Sequence, residues 1–156
     1  MSTTTVVEGW TEQPLSRFVA QASARLVVVM TPAGQVLAQH GFTKAVDLMS
    51  AAALGAAIMA SSGALAQQVG EVAFAALYHA GVKHGIHLAG TETPRGKLII
   101  LTVFGRETSI GLVQVFYEEF VAALRQAAPA DQPKQPILAA DFENQLNSNL
   151  ASLFKR

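Results

Sequence analysis

The stretch MSAAALGAAIMASSGALAQQVG, residues 49–70, decides the fold of this chain because it carries no charge and is made mostly of small residues. Alanine is the strongest helix former, so the stretch predicts one long helix. Thr43 or Asp47 can cap its start, and Gly70 can end it in the left-handed conformation. A helix of this length also reaches across a bilayer. Its large apolar residues are few and serine and glutamine interrupt them, so we predict that it does not span a membrane.

The period of the helix divides its surface into two arcs. One arc, which we expect to pack on a sheet, holds Leu54, Ile58, Leu65 and Val69. The opposite arc has alanines where a solvated helix has lysine and glutamate, namely Ala53, Ala57, Ala60 and Ala64. Small uncharged side chains allow a partner to approach closely and cost little to desolvate, so this arc is predicted to be a contact surface. The alternative is that alanine is merely tolerated there as a helix former.

The residues around this helix predict two further helices and five strands. An amphipathic helix is expected at 11–24, and another from a Thr108 or Ser109 cap to Gln126. The strands are predicted at 25–31, 36–41, 74–80, 84–90 and 97–104. The last strand is apolar almost without alternation, so we expect it at the centre of the sheet. The order α-β-β-α-β-β-β-α predicts an α+β fold, an α/β/α sandwich around a five-stranded antiparallel sheet.

A proline-rich segment separates the domain from the C-terminus. We predict a domain at 1–128, a linker at 129–137, where the prolines of PADQPKQP prevent a helix, and a short amphipathic helix at 138–156. The apolar stripe of this helix comprises Phe142, Leu146, Leu150 and Phe154. Such a helix on a tether is expected to dock on a partner, and packing on its own domain is the open alternative.

Composition and charge exclude several classes of protein. A chain of 156 residues suffices for one domain. Eleven basic and eleven acidic residues balance, which is unlike a nucleic-acid-binding protein. The absence of cysteine excludes disulfides and thiolate metal sites. The start MSTTTVVEGW lacks the pattern of a signal peptide, and together these features predict a cytoplasmic protein.

The sequence also lacks the usual motifs of an active site. It contains no G-x-x-x-x-G-K-[ST], H-E-x-x-H or G-x-S-x-G. His79, His84 and His87 surround one hairpin, but His84 and His87 point to opposite faces of a strand, so we predict neither a metal site nor a cofactor. Arg95 and Arg106 lie in predicted turns, where an arginine can reach a partner's active site or remain a solvated loop charge. We predict no active site within this chain.

In order and motifs, the chain resembles the roadblock (dynein light chain) family, and within it the bacterial MglB group. The match runs from about residue 15 to 126 and rests on VVVMTPAGQVLAQHG, LAQQVGEVAF, YHAGVKHGIHL and LTVFGRETSIGLVQV. The segment DFENQLNSNLASLF is similar to the C-terminal segment of that group, although it is less acidic than expected.

This resemblance implies a homodimer built through the long helix and the edge strand after it, and a partner that is a Ras-like small GTPase of the MglA type. The expected dimer edge comprises Phe74, Ala76, Tyr78 and Ala80. The GTPase is expected to bind the C-terminal stripe and, on the long helix, Ala53, Ala56, Ala57, Ala60, Ala64 and Gln67. The resemblance further implies GTPase activation in bacterial cell polarity and gliding motility, by remodelling the GTPase rather than by inserting an arginine. Two alternatives are a non-activating scaffold and a small-molecule sensor domain.

Overall fold

A computed structural model describes residues 3–130 of the chain. The strands within this range are β1 (Thr4–Val6), β2 (Leu26–Met30), β3 (Val36–His40), β4 (Ala76–Ala80), β5 (Gly85–Thr93) and β6 (Gly96–Phe104). The α-helices are α1 (Glu12–Ala22), α2 (Ala45–Gln68) and α3 (Ile110–Ala127), and a 3₁₀ turn at Gly9–Thr11 precedes α1. The predicted linker from residue 131 and the C-terminal helix lie outside the described residues.

All six strands form one antiparallel sheet in the order β1-β3-β2-β6-β5-β4. Helices α1 and α3 pack on one face, where the Phe18 and Phe120 rings stack with centroids 4.7 Å apart. Helix α2 packs on the other face. The predicted α+β sandwich is confirmed, and so is the central position of β6, between β2 and β5.

The predicted count of five strands is wrong, because β1 adds a sixth at the β3 edge. This strand has only three residues and begins with threonines, so it has no run of alternating apolar residues to reveal it. Tertiary contacts hold it in place: Thr4 Oγ1 lies 2.8 Å from His40 Nδ1, and Gln39 Nε2 donates to Thr5 Oγ1.

The helix ends match the sequence prediction only in part. Ser109 caps α3 by accepting a hydrogen bond from the Leu112 amide, as predicted. Helix α2 instead begins after Lys44. Within residues 3–130, neither Thr43 nor Asp47 caps this helix with a side-chain hydrogen bond. Asp47 lies inside the first turn, where its charge favours the positive end of the helix dipole. Gly70 has φ +79°, the left-handed conformation predicted for the end of this helix.

Gly41 makes the sharp connection between β3 and α2. Its φ is +91°, and a Cβ atom at this position would overlap the backbone carbonyl of Arg25 and the side chain of Leu26. Gly70, with φ +79°, has nothing within 4 Å of such an atom. The two glycines therefore share a backbone conformation and differ in steric surroundings.

We predict that Gly41→Ala lowers the free energy of unfolding by about 3 kcal/mol or more, because it adds overlap to backbone strain. Gly70→Ala, the matched control, should cost about 1 kcal/mol from strain alone. Urea denaturation of both variants measures the difference. Equal losses would show that the β3–α2 connection relaxes around an added methyl group.

Candidate protein-interaction surface

Helix α2 buries only its smallest residues fully against the sheet, while Leu48, Ile58 and Met59 pack there half-buried. Its buried positions are Ala52, Gly55 and Ala66. A Cβ atom on Gly55 would lie 3.2 Å from the Met30 methyl carbon and 3.8 Å from a Leu88 methyl carbon. The helix backbone therefore lies close to the sheet, and side chains of the strands supply most of the bulk in this layer of the core.

The prediction that Leu54, Leu65 and Val69 pack on the sheet is wrong. They are 64%, 57% and 61% exposed, and only Ile58 of the predicted arc is half-buried in the core. The physical reason is the close approach at Ala52 and Gly55, which rotates the helix so that the leucines lie beside the contact rather than in it.

The outer face of α2 is uncharged and exposed. Of the predicted binding residues, Ala56 is half-buried against the core, and those exposed are Ala53, Ala57, Ala60, Ala64 and Gln67. Val46 and Met49 extend this face towards the start of the helix, and both are exposed. No charged residue occurs between residues 48 and 70. A contiguous exposed apolar face of this kind is typical of a protein-interaction surface.

The turn between β2 and β3 lies beside one flank of α2. A Cβ atom on Gly34 would lie 3.8 Å from Ala56 Cβ and 3.9 Å from Ala53 Cα. At about 100° per residue, Leu54 and Leu65 fall on the flank turned away from this turn. The helix therefore presents two chemically distinct flanks, one of alanine and one of leucine.

The sheet beneath the leucine flank is only partly covered. On the α2 face, the paired residues Val28, Leu101 and Leu88 are buried, and so is the Met30–Ile99 pair. The next row along these strands consists of Leu26, Val103 and Ile86, and all three are half-buried. The apolar surface of the leucine flank thus continues over this row.

Strand β4 forms one edge of the sheet, because β5 is its only strand partner within residues 3–130. Ala76, Tyr78 and Ala80 of the expected dimer edge lie in β4 and are exposed, and the Tyr78 ring stacks 6.0 Å from Phe104. Phe74 precedes the strand, so its predicted place within the strand is wrong, and it is half-buried. An uncovered edge strand offers its backbone for pairing with another chain.

The two candidate arginines differ in their surroundings. Arg95 forms an ion pair with Glu8 at 3.0 Å, and Glu8 also accepts a hydrogen bond from the Trp10 indole. This pair ties the β5–β6 turn to the N-terminal segment, a role that neither sequence interpretation of Arg95 anticipated. Arg106 is exposed and donates only a long bond, 3.4 Å, to the Val82 carbonyl in the part of the chain that is described.

Charged and polar side chains at one end of the sheet also contact one another. Arg25 forms an ion pair with Glu107 at 2.7 Å and lies 2.8 Å from His84 Nε2. The hydrogen bond from Arg25 is the main cause that lowers the pKa of Glu107 to about 2. No group of three metal-ligating side chains occurs within residues 3–130, and His87 is buried apart from His84.

A cleft of about 360 Å³ lies between α2, its connection to β4, and the β5–β6 turn. Residues lining it include Met59, Phe74, Lys97 and Arg125. Arg125 already donates to the Glu92 carbonyl and to Thr91 Oγ1. One of the two cationic side chains of the cleft is thus already engaged within the protein.

By length and composition, α2 also qualifies as a helix that can cross a membrane. One such helix is weak evidence, because the inner face of α2 packs on the sheet. The absence of a membrane span therefore stays a prediction.

The fold is shared with known proteins of one family. MglB of Myxococcus xanthus is 25% identical, with a TM-score of 0.68, and the match covers 76% of this chain and 94% of that one. The gliding protein MglB of Thermus thermophilus is 24% identical, with a TM-score of 0.66 over 76% and 88% of the two chains. A Roadblock/LC7 domain from Streptomyces avermitilis is 16% identical, with a TM-score of 0.58 over 71% and 91%.

No protein-family model matches the sequence, and no curated protein matches it either. The solved structures nevertheless confirm the predicted roadblock fold and the resemblance to MglB.

Proposed function

We propose that this chain, which has the roadblock fold and resembles MglB, is a homodimeric regulator that binds a Ras-like small GTPase and stimulates its GTP hydrolysis. The observation that carries the proposal is the charge-free outer face of α2, where Ala53, Ala57, Ala60 and Ala64 are exposed. Such a surface favours a protein partner over a nucleic acid or a charged small molecule. The proposed setting is the cytoplasm of a motile bacterium, in cell polarity and gliding motility.

The two flanks of α2 support separate roles in this proposal. The leucine flank continues into the half-buried row Leu26, Val103 and Ile86, and the exposed edge strand β4 belongs to the same sheet. A second copy related by a two-fold axis would pair its β4 with this β4 and cover the row with its own helix. The alanine flank, beside the β2–β3 turn, then stays free for the GTPase.

The proposed activation works through positioning of groups in the GTPase. Phosphoryl transfer depends chiefly on placing the attacking water and stabilising charge on the phosphate. The sequence has no phosphate-binding loop, so the nucleotide and its chemistry are assigned to the partner. Arg95 is held by Glu8, which favours remodelling of the GTPase over insertion of this arginine.

We predict that Ala60→Arg with Ala64→Arg abolishes GTPase binding and stimulation while the protein stays folded and dimeric. Arginine is a good helix former, so α2 itself is retained. Each long cation would enter a close contact without a counter-charge, at a cost of several kcal/mol per site. Binding to an MglA-type GTPase, GTP turnover, circular dichroism and light scattering measure these properties.

The matched variant carries the same two substitutions on the other flank, Leu54→Arg with Leu65→Arg. We predict that it shifts the mass in light scattering from about twice 16.4 kDa towards one chain while circular dichroism is unchanged. Val82→Arg, at an exposed position in the β4–β5 turn, is the control for added charge. Binding without faster turnover by the unsubstituted protein would identify a scaffold, and retained stimulation by the alanine variant would refute the assigned surface.

The proposed C-terminal docking element comprises Phe142, Leu146, Leu150 and Phe154, all beyond the described residues. We predict that deletion of residues 136–156 weakens GTPase binding by ~1–3 kcal/mol and leaves the dimer intact, because buried apolar side chains outweigh the cost of ordering the segment. Calorimetric titration of the GTPase gives the affinity. Unchanged affinity, or loss of the folded dimer, would refute a role of this segment in docking the GTPase.

A further inference from the structure

A row of side chains crosses the sheet beneath α3 and turns from apolar to polar towards β4. Register pairs Val27 with Thr102, Thr102 with His87, and His87 with Tyr78. Thr102 is fully buried and His87 is only 1% exposed, whereas Tyr78 lies at the exposed edge. A titratable side chain is thus enclosed next to the edge strand.

Helix α3 covers this row with Tyr117. The Tyr117 ring meets the His87 ring edge-on, with centroids 4.8 Å apart. Within residues 3–130, three buried atoms here have no hydrogen-bond partner: His87 Nδ1, Thr102 Oγ1 and Tyr117 Oη. Buried polar atoms are nearly always paired, so three unpaired atoms in one contact between sheet and helix need an explanation.

The cluster accepts a neutral imidazole far better than a charged one. Burial lowers the pKa of His87, and the negative charge of Glu118 on α3 opposes this only in part. Burial likewise raises the pKa of Tyr117 to about 12, so its hydroxyl stays neutral and provides no counter-charge. Strand β4 contributes Tyr78 to the row and places no carboxylate there. No carboxylate directly pairs with the ring in the described part of the chain, so a proton on His87 would create a poorly compensated buried charge.

We propose that His87, Thr102 and Tyr117 form a proton-sensitive latch that holds α3 on the sheet beside β4 while His87 is neutral and loosens it when His87 takes up a proton. The latch acts on folding and on the packing of α3, independently of any GTPase. A mildly acidic environment therefore weakens the packing of α3 on the sheet.

The direction of the effect follows from proton binding. The pKa of His87 is lower in the folded protein than its ordinary value of 6.5, so the unfolded chain binds the proton first as pH falls. The contribution of His87 to stability is therefore complete above pH 6.5 and is lost as pH falls from 6.5 towards the folded pKa. In that window one such group changes the folding equilibrium constant by up to about tenfold per pH unit.

The test compares the full-length protein with two variants. His87→Gln removes the buried imidazole, and His84→Gln removes an exposed imidazole. Urea unfolding between about pH 8 and 5 gives the folding equilibrium constant, and amide hydrogen exchange of Val113 to Leu124 reports on α3. We expect the constant to fall more steeply below about pH 6.5 in the unsubstituted protein than in His87→Gln, by up to about tenfold per pH unit. His84→Gln should keep the steep fall, and His40, which is also buried, contributes alike to all three proteins.

Two further measurements test the latch if His87→Gln fails to fold. His87→Phe retains an aromatic ring against Tyr117 and should show the same shallow pH dependence. Histidine NMR of the unsubstituted protein should show the His87 ring still neutral below its ordinary pKa of 6.5, with the protection factors of the α3 amides falling as the ring titrates. Equal pH dependence with and without His87, or α3 exchange that is unaffected by its titration, would overturn the latch.

Discussion

The close approach of α2 to the sheet is the contact on which the rest of this structure depends. It is possible because Ala52 and Gly55 place almost no side chain between the helix backbone and the residues Met30 and Leu88. A helix with large residues there would stand farther from the sheet, and its leucines would fill the space. Instead the strands supply the bulk, and the helix retains apolar residues that face outward.

This arrangement makes the two faces of the sheet unequal. The face under α1 and α3 is closed by large side chains, including the stacked rings of Phe18 and Phe120. On the α2 face a row of half-buried residues remains beside an exposed edge strand. Apolar surface and unpaired backbone at one place favour association, because apolar surface gains from leaving water and the backbone groups of an edge strand can hydrogen-bond to another chain. This fold is therefore well suited to assembly, and the charge-free outer face of α2 favours a protein as the partner.

Several charged residues in the described part of the chain hold parts of the domain together. Glu8 holds Arg95, Glu107 holds Arg25, and Arg125 bonds to Thr91 and the Glu92 carbonyl. Side chains engaged in this way are poor candidates for insertion into another protein's active site. Under the proposed function, the protein acts on its partner by shape and packing, and the proposed latch at the buried His87 makes that packing sensitive to pH.

The sequence alone determined the types and order of the elements from α1 to α3, because helical and strand periods are local properties of the chain. It predicted the long alanine-rich helix, the central place of β6 and the Ser109 cap from neighbouring residues. It did not determine which arc of α2 faces inward, because that depends on how closely the helix backbone approaches Met30 and Leu88. Strand β1, the pairing of Arg95 with Glu8 and the enclosure of His87 by Tyr117 were likewise decided by tertiary structure. These contacts join residues far apart in sequence, and no local pattern specifies which distant residues will meet.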